Sequence, residues 1–190
     1  MMNRLVTLCT ILLLTMNYTL GQENLNEEYK LKVKSITAGF GVYTSDLRDS
    51  EDSFRFDQAG STFSAGLSLV YKKHLFSLDI DLGLDVLDLF GNDDGENASF
   101  NSYDILYGRE FSIFKWLRIE AHTGLGLYLY KDRLVADNRY DTKAVIGIPV
   151  DIRFMIDSSR GFSFGINPEL NFNEINTTYI GNIVFQYRFN

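Results

Sequence analysis

Residues 75–89, LFSLDIDLGLDVLDL, constrain the fold more tightly than any other stretch of the chain. From Ser77 the pattern alternates without a break. Leu78, Ile80, Leu82, Leu84 and Val86 fall on one side, and Ser77, Asp79, Asp81, Gly83 and Asp85 on the other. Successive side chains of a strand point to opposite faces, whereas a helix would scatter these aspartates around its whole circumference. The stretch is therefore a strand with one apolar face and one face carrying three carboxylates. Such a strand separates an apolar medium from a wet one.

Seven other segments repeat the pattern. Residues 32–45 set Ile36, Ala38, Phe40 and Val42 against Ser35, Thr37, Gly39 and Gly41. Residues 61–71 set Phe63, Ala65, Leu67 and Leu69 against Thr62, Ser64, Gly66 and Ser68. In residues 99–111, whose faces are the least clear, Tyr103, Ile105 and Tyr107 oppose Asp104, Gly108 and Glu110. Residues 116–130 divide cleanly: Leu117, Ile119, Ala121, Leu125, Leu127 and Leu129 against Arg118, Glu120, His122, Gly124, Gly126 and Tyr128. Residues 142–156, 162–172 and 178–189 follow, with Asp151 and Arg153, then Asn167, Glu169 and Asn171, then Asn182, Gln186 and Arg188 on their polar faces. Pro168 removes a ladder hydrogen bond, so an irregularity is expected there. The connections read as long at 46–60, 90–98 and 131–141, short at 72–73, 112–115 and 157–161, and moderate at 173–177. Alternate connections of an up-and-down barrel lie at opposite rims, and long-against-short is the asymmetry of transmembrane barrels.

Residues 1–21 read as a cleaved signal peptide: Arg4, a short apolar core over 5–16, and Thr19-Leu20-Gly21 before the cleavage point. Residues 22–190 then form one domain. The single cysteine, Cys9, falls inside the leader, so the mature chain has no disulfide and no cysteine metal site. The formal net charge of -7, without a basic patch, argues against a nucleic-acid partner. The mean hydropathy of -0.09 suits strands of which only alternate residues meet lipid.

Alternation does not say which face looks inward. A soluble eight-stranded barrel would turn the apolar face in, around a ligand. Three features favour the opposite. The polar faces are rich in glycine, as a narrow interior requires. Aromatic residues crowd the strand ends: Tyr71, Phe90, Phe100, Phe111, Trp116, Tyr128, Tyr130, Phe162, Phe172, Tyr179 and Tyr187. That suits girdles at two membrane interfaces. The chain also ends in an aromatic strand, YIGNIVFQYRF, followed by Asn190.

With these features the chain resembles the small OmpA/OmpX-type outer-membrane barrels. The resemblance covers the whole mature chain as a pattern rather than as a motif. It implies an all-β, eight-stranded antiparallel up-and-down transmembrane β-barrel in the outer membrane, surrounded by lipid and monomeric. It also implies that the barrel-assembly machinery reads the C-terminal strand.

The inward charges are Asp79, Asp81, Asp85, Asp104, Glu110, Glu120, Asp151 and Glu169 with Arg118, Arg153 and Arg188. They read first as a structural network, because buried charges need partners. Glu120 and Arg153 are an expected pair. A proton or cation path is the competing reading, and so little room for water remains inside eight strands that it is the weaker one. His122, with Glu120 two residues away, resembles a base and its orienter. However, the lipid-modifying barrel enzymes place such groups near the rim, so no catalytic residue and no cofactor is expected. The segment Asn92-Asp93-Asp94-Gly95-Glu96 offers calcium ligands without EF-hand spacing, and reads as a solvated loop. The function expected is structural, adhesive or partner-binding through acidic outer loops. The alternative is a narrow transporter or ligand-binding barrel.

Overall fold

The computed structural model describes residues 30–47, 56–85, 99–134, 139–158 and 161–189, with the side chains of 47, 56–58, 85, 132–134 and 139–141 left aside. The proposed signal peptide, residues 86–89 of the strand that opened the sequence reading, and the 92–96 loop lie outside them. Eight strands follow in chain order: β1 Lys32–Leu47, β2 Phe56–Tyr71, β3 His74–Asp85, β4 Ser99–Phe114, β5 Leu117–Leu134, β6 Arg139–Asp157, β7 Phe162–Phe172 and β8 Asn176–Arg188. Each pairs antiparallel with the next, and β1 pairs with β8 from Ser35↔Arg188 to Leu47↔Asn176. Closure leaves no strand edge unpaired, the condition for spanning an apolar medium with strands.

The apolar faces point outward. Leu78, Ile80, Leu82 and Leu84 are exposed, while Ser77, Asp79 and Asp81 between them are buried. The same division holds in β4, where Ile105 is 68% exposed and its neighbour Asp104 only 3%. Apolar residues that face outward in every strand and a polar, buried interior make up an inverted protein. The solvent that satisfies such a surface is lipid.

Several strands exceed their sequence limits. β1 and β2 run two and five residues further toward each other, to Leu47 and Phe56, and β4 continues to Phe114. The connection expected over 131–141 shrinks to 135–138, because β5 and β6 extend to Leu134 and Arg139. Charged residues on a strand that projects past a membrane are solvated on both faces, so they carry no alternation to read. The described ends of β1 and β2 at Leu47 and Phe56, and of β3 and β4 at Asp85 and Ser99, lie at the rim opposite the turns at 72–73 and 115–116. Lys72 takes the positive φ of 58° that a two-residue hairpin demands.

The prolines interrupt ladders without shifting them. The β6–β7 ladder passes from Asp151↔Glu169 to Phe154↔Ile166 in constant register, skipping Pro168. The β5–β6 ladder similarly skips from Thr123↔Val150 to Gly126↔Gly147 around Pro149. There Thr123 Oγ1 donates 3.0 Å to the Pro149 carbonyl.

The aromatic residues need a correction. A girdle stands at the turn rim: Phe114 stacks on Trp116 (5.6 Å), and Tyr187 contacts Phe162 (4.9 Å) and Phe189 (5.3 Å). At the loop rim Phe100, Tyr128 and Tyr130 are buried inside the barrel instead of facing lipid. Phe90 lies outside the described residues. In β4 and β5 these aromatic residues share the inward parity of Asp104 and Glu120, and parity outranks nearness to a strand end.

Candidate functional site

The barrel interior holds nearly all the buried polar chemistry of the described residues. It is stacked in three layers between the rims.

The layer nearest the turns is a balanced ion-pair network. Arg118, on β5, points inward and is fully buried. Its Nε donates to both carboxylate oxygens of Asp157 (2.9 and 3.1 Å). Nη1 donates to Glu120 and, at 3.4 Å, to Glu110; Nη2 donates to Ser163 (3.1 Å) and Gln186. Lys34 Nζ reaches Glu120 (3.0 Å) and Glu110. Arg188 closes the rim against Asp157 (3.4 Å) and Glu110 (3.5 Å). Three bases thus meet three acids, with Gln186 Nε2 also donating 3.3 Å to Glu120.

Lys34 escaped the sequence reading. Strict alternation from Ser35 puts it on the lipid side. A register shift between Val33 and Ser35 leaves Lys34 without a Cα partner on β2, and both Lys34 and Ser35 turn inward. The extra residue of a bulge breaks the two-residue period, and one strand's sequence alone carries no sign of it.

The middle layer is acidic. Arg153, on β6, pairs through Nη2 with Asp79 and with Asp151 (2.7 Å). The expected Glu120–Arg153 pair does not form. The two residues are direct register partners, yet Glu120 turns to Lys34 and Arg118 while Arg153 reaches across to β3. His122 lies 3.4 Å from Asp151 rather than against Glu120. Asp81, Asp104 and Glu169 come together from β3, β4 and β7, their nearest carboxylate oxygens all within 4.8 Å of one another. Ser102 donates to both oxygens of Asp104 (2.9 and 3.0 Å), and Asn171 donates to Ser102 (3.3 Å). Asp85 belongs to the same face by parity, but its side chain lies outside the described residues.

The layer under the long connections is aromatic. Phe100 stacks on Tyr128 (5.2 Å, 16°) and takes the edge of Tyr43 (4.9 Å, 86°), with Tyr130 and Ile180 completing the cluster. The Tyr128 hydroxyl is 2.9 Å from Thr178, which donates 3.2 Å to Asn176. Asn173 clamps the β7–β8 turn by accepting from the amides of Ile175 (3.0 Å) and Asn176 (2.9 Å).

The wall glycines are sockets for these side chains. A Cβ on Gly83 would collide with the Phe100 ring, and one on Gly126 with the Asp104 carboxylate. Among the described residues, a cavity of about 10 Å³ lies beside Asp79, Asp81, Arg153, Asn167 and Glu169, room for about one water. Around it the inward side chains of all three layers pack against one another across the lumen, as the width of eight strands allows.

No family model and no curated protein matches the sequence. Among solved structures the fold matches Neisserial surface protein A, with a TM-score of 0.64 and 10% identity over 84% of this chain and 99% of that one. It also matches Ail, the attachment invasion locus protein of Yersinia pestis, in complex with the heparin analogue sucrose octasulfate, with a TM-score of 0.57 and 12% identity over 82% and 99%. A third is the N-terminal β-barrel domain of Pseudomonas aeruginosa OprF, with a TM-score of 0.54 and 9% identity over 84% and 100%. The architecture is that of the small eight-stranded outer-membrane barrels. At this identity the likeness concerns the fold.

Proposed function

We propose that this chain is a non-conducting, non-enzymatic outer-membrane barrel that serves as a rigid platform for its outer connections, with a structural, adhesive or partner-binding role. The observation that carries this reading is the filled interior, with an ion-pair layer at one end and an aromatic layer at the other. A pore needs a continuous water column, and a transporter needs a lumen wider than one water. Groups that resemble catalytic ones, His122 beside Asp151, are sealed inside where no lipid or solute substrate reaches them.

Recognition then falls to the long connections, as it usually does for loops on a rigid scaffold. Segment 86–98 contains Asp88, Asp93, Asp94 and Glu96 and no base. Ail is described with a polyanionic heparin analogue. Acidic loops disfavour that ligand class here and favour cationic or neutral partner surfaces. The fold, the proposed leader and the aromatic last strand support export, assembly by the barrel-assembly machinery and residence in the outer membrane as a monomer.

The test is planar-bilayer recording of the purified protein, alongside cell fractionation. The expected result is recovery with outer membranes, slower migration after boiling on a denaturing gel, and no stepwise conductance. Steady unitary conductance would replace this reading with the transporter alternative.

A further inference from the structure

We propose that Asp81, Asp104 and Glu169 form a binding site for a hard divalent cation, calcium in the first instance, enclosed in the middle of the barrel. The proposal begins with charge. The turn-side network balances three bases against three acids, and Arg153 is already shared by Asp79 and Asp151. Among the described residues Asp81, Asp104 and Glu169 have no ion-pair partner, and all three are buried. Three carboxylates crowded inside a low-dielectric wall repel one another strongly unless something positive joins them.

A second, independent observation concerns the cavity beside them. Asp81 and Glu169 line it together with Asp79, which lies outside the cluster. Asp79 is 8% exposed, and its Oδ1 accepts no hydrogen bond, although Oδ2 is held by Arg153. Glu169 is 6% exposed, and its Oε1 is likewise without a partner. A neutral water would satisfy such oxygens but leave the charge in place. Arg153 is the base on the cavity wall. Its Nη2 is committed to the two aspartates, while Nε and Nη1 have no partner, so it competes with a cation only by turning those donors inward.

The donor set and its spread select the ion. Oxygen-only carboxylate donors suit hard cations. Calcium binds oxygens at about 2.3–2.6 Å, so ligands on opposite sides of it lie roughly 4.6–5.2 Å apart. The cluster oxygens fall within 4.8 Å. Magnesium demands strict octahedral geometry and gives up its waters reluctantly, which an enclosed interior with little room for water disfavours. Because β7 faces β3 and β4 across the lumen, a bound ion would staple opposite walls. With an aromatic layer above and an ion-pair layer below, it would enter during folding and exchange slowly afterward.

The experiment uses the full protein purified in detergent from membranes, with metal content measured after desalting. The protein is then unfolded in chelator and refolded with calcium, with magnesium, or with chelator alone. The expected outcome is one equivalent of calcium that resists brief chelator treatment of the folded barrel. Refolding in calcium is expected to raise the thermal midpoint above that reached in magnesium or in chelator. Asp104→Asn and Glu169→Gln, which keep volume and remove charge, should lose the bound ion while the heat-dependent gel shift shows a closed barrel. Asp157→Asn, in the turn-side network, should keep it. Substoichiometric metal in the wild-type protein, with identical thermal midpoints in all three refolding conditions, would overturn the proposal and leave shared protons as the neutralising charge. Undiminished calcium in the folded Asp104→Asn and Glu169→Gln variants would overturn it too, by locating the ion elsewhere.

Discussion

The two ends of the interior close the same cylinder by opposite means. At the turn end Arg118 alone reaches Glu110, Glu120, Asp157, Ser163 and Gln186, residues carried by β4, β5, β6, β7 and β8. At the loop end five uncharged residues, four of them aromatic, fill a similar cross-section through ring contacts. The first closure is directional and fails when one partner is removed, because the charges left behind stay buried. The second is non-directional and degrades in proportion to the volume lost. One side chain can cross-link five strands only if it carries several fixed donors, and the guanidinium has five. Rings do the same work where the barrel opens toward solvent and a stranded charge would be less costly.

Four substitutions test this contrast, read as unfolding free energies in detergent or lipid, with the single Trp116 at the turn rim as a local probe. Arg118→Ala is expected to have the largest effect, about 3–5 kcal/mol, the usual consequence of stranding a buried partner charge. A loss under about 1 kcal/mol would mean that Lys34 and Arg188 between them balance the layer. Phe100→Ala should cost about 3 kcal/mol, the lower end for a core phenylalanine, since water can refill the loop end. It should leave bilayer conductance at zero, because the other closure stands. If Phe100→Ala opened a conducting pore, the turn-side layer would not be a seal. Lys34→Met should cost roughly 2 kcal/mol, less than the sum of its two charged hydrogen bonds because Glu110 and Glu120 both keep Arg118. An unchanged unfolding midpoint would place Lys34 outside the network. Asp157→Asn should be mildest, at about 1 kcal/mol, because Asp157 is only half-buried and its pairs are partly screened. A larger loss for Asp157→Asn than for Lys34→Met would reverse the ranking of buried over rim positions.

Legibility in the sequence tracked how local each feature is. Residues 75–84 declared their two faces outright, and the structure places each side chain where its parity demands. The inward set Asp79, Asp81, Asp104, Glu120, Asp151 and Glu169, with Arg118 and Arg153, was readable for the same reason. Phe100 and Tyr130 turn inward because parity outranks nearness to a strand end. Pairing was another matter. Glu120 and Arg153 are neighbours in register, and both choose other partners.

Two-residue periodicity is a property of one strand's backbone, so the sequence could establish eight two-faced strands, their order and their polar interior. Contacts across the lumen depend on how far each strand is staggered around the closed cylinder and on where a bulge inserts a residue. The bulge at Lys34, the reach of Arg153 to Asp79 and the meeting of Asp81, Asp104 and Glu169 were left to three-dimensional packing. In each of these a distance that matters runs across the barrel, from β1 to β4 and β5, from β6 to β3, or from β7 to β3 and β4, and no local pattern encodes it.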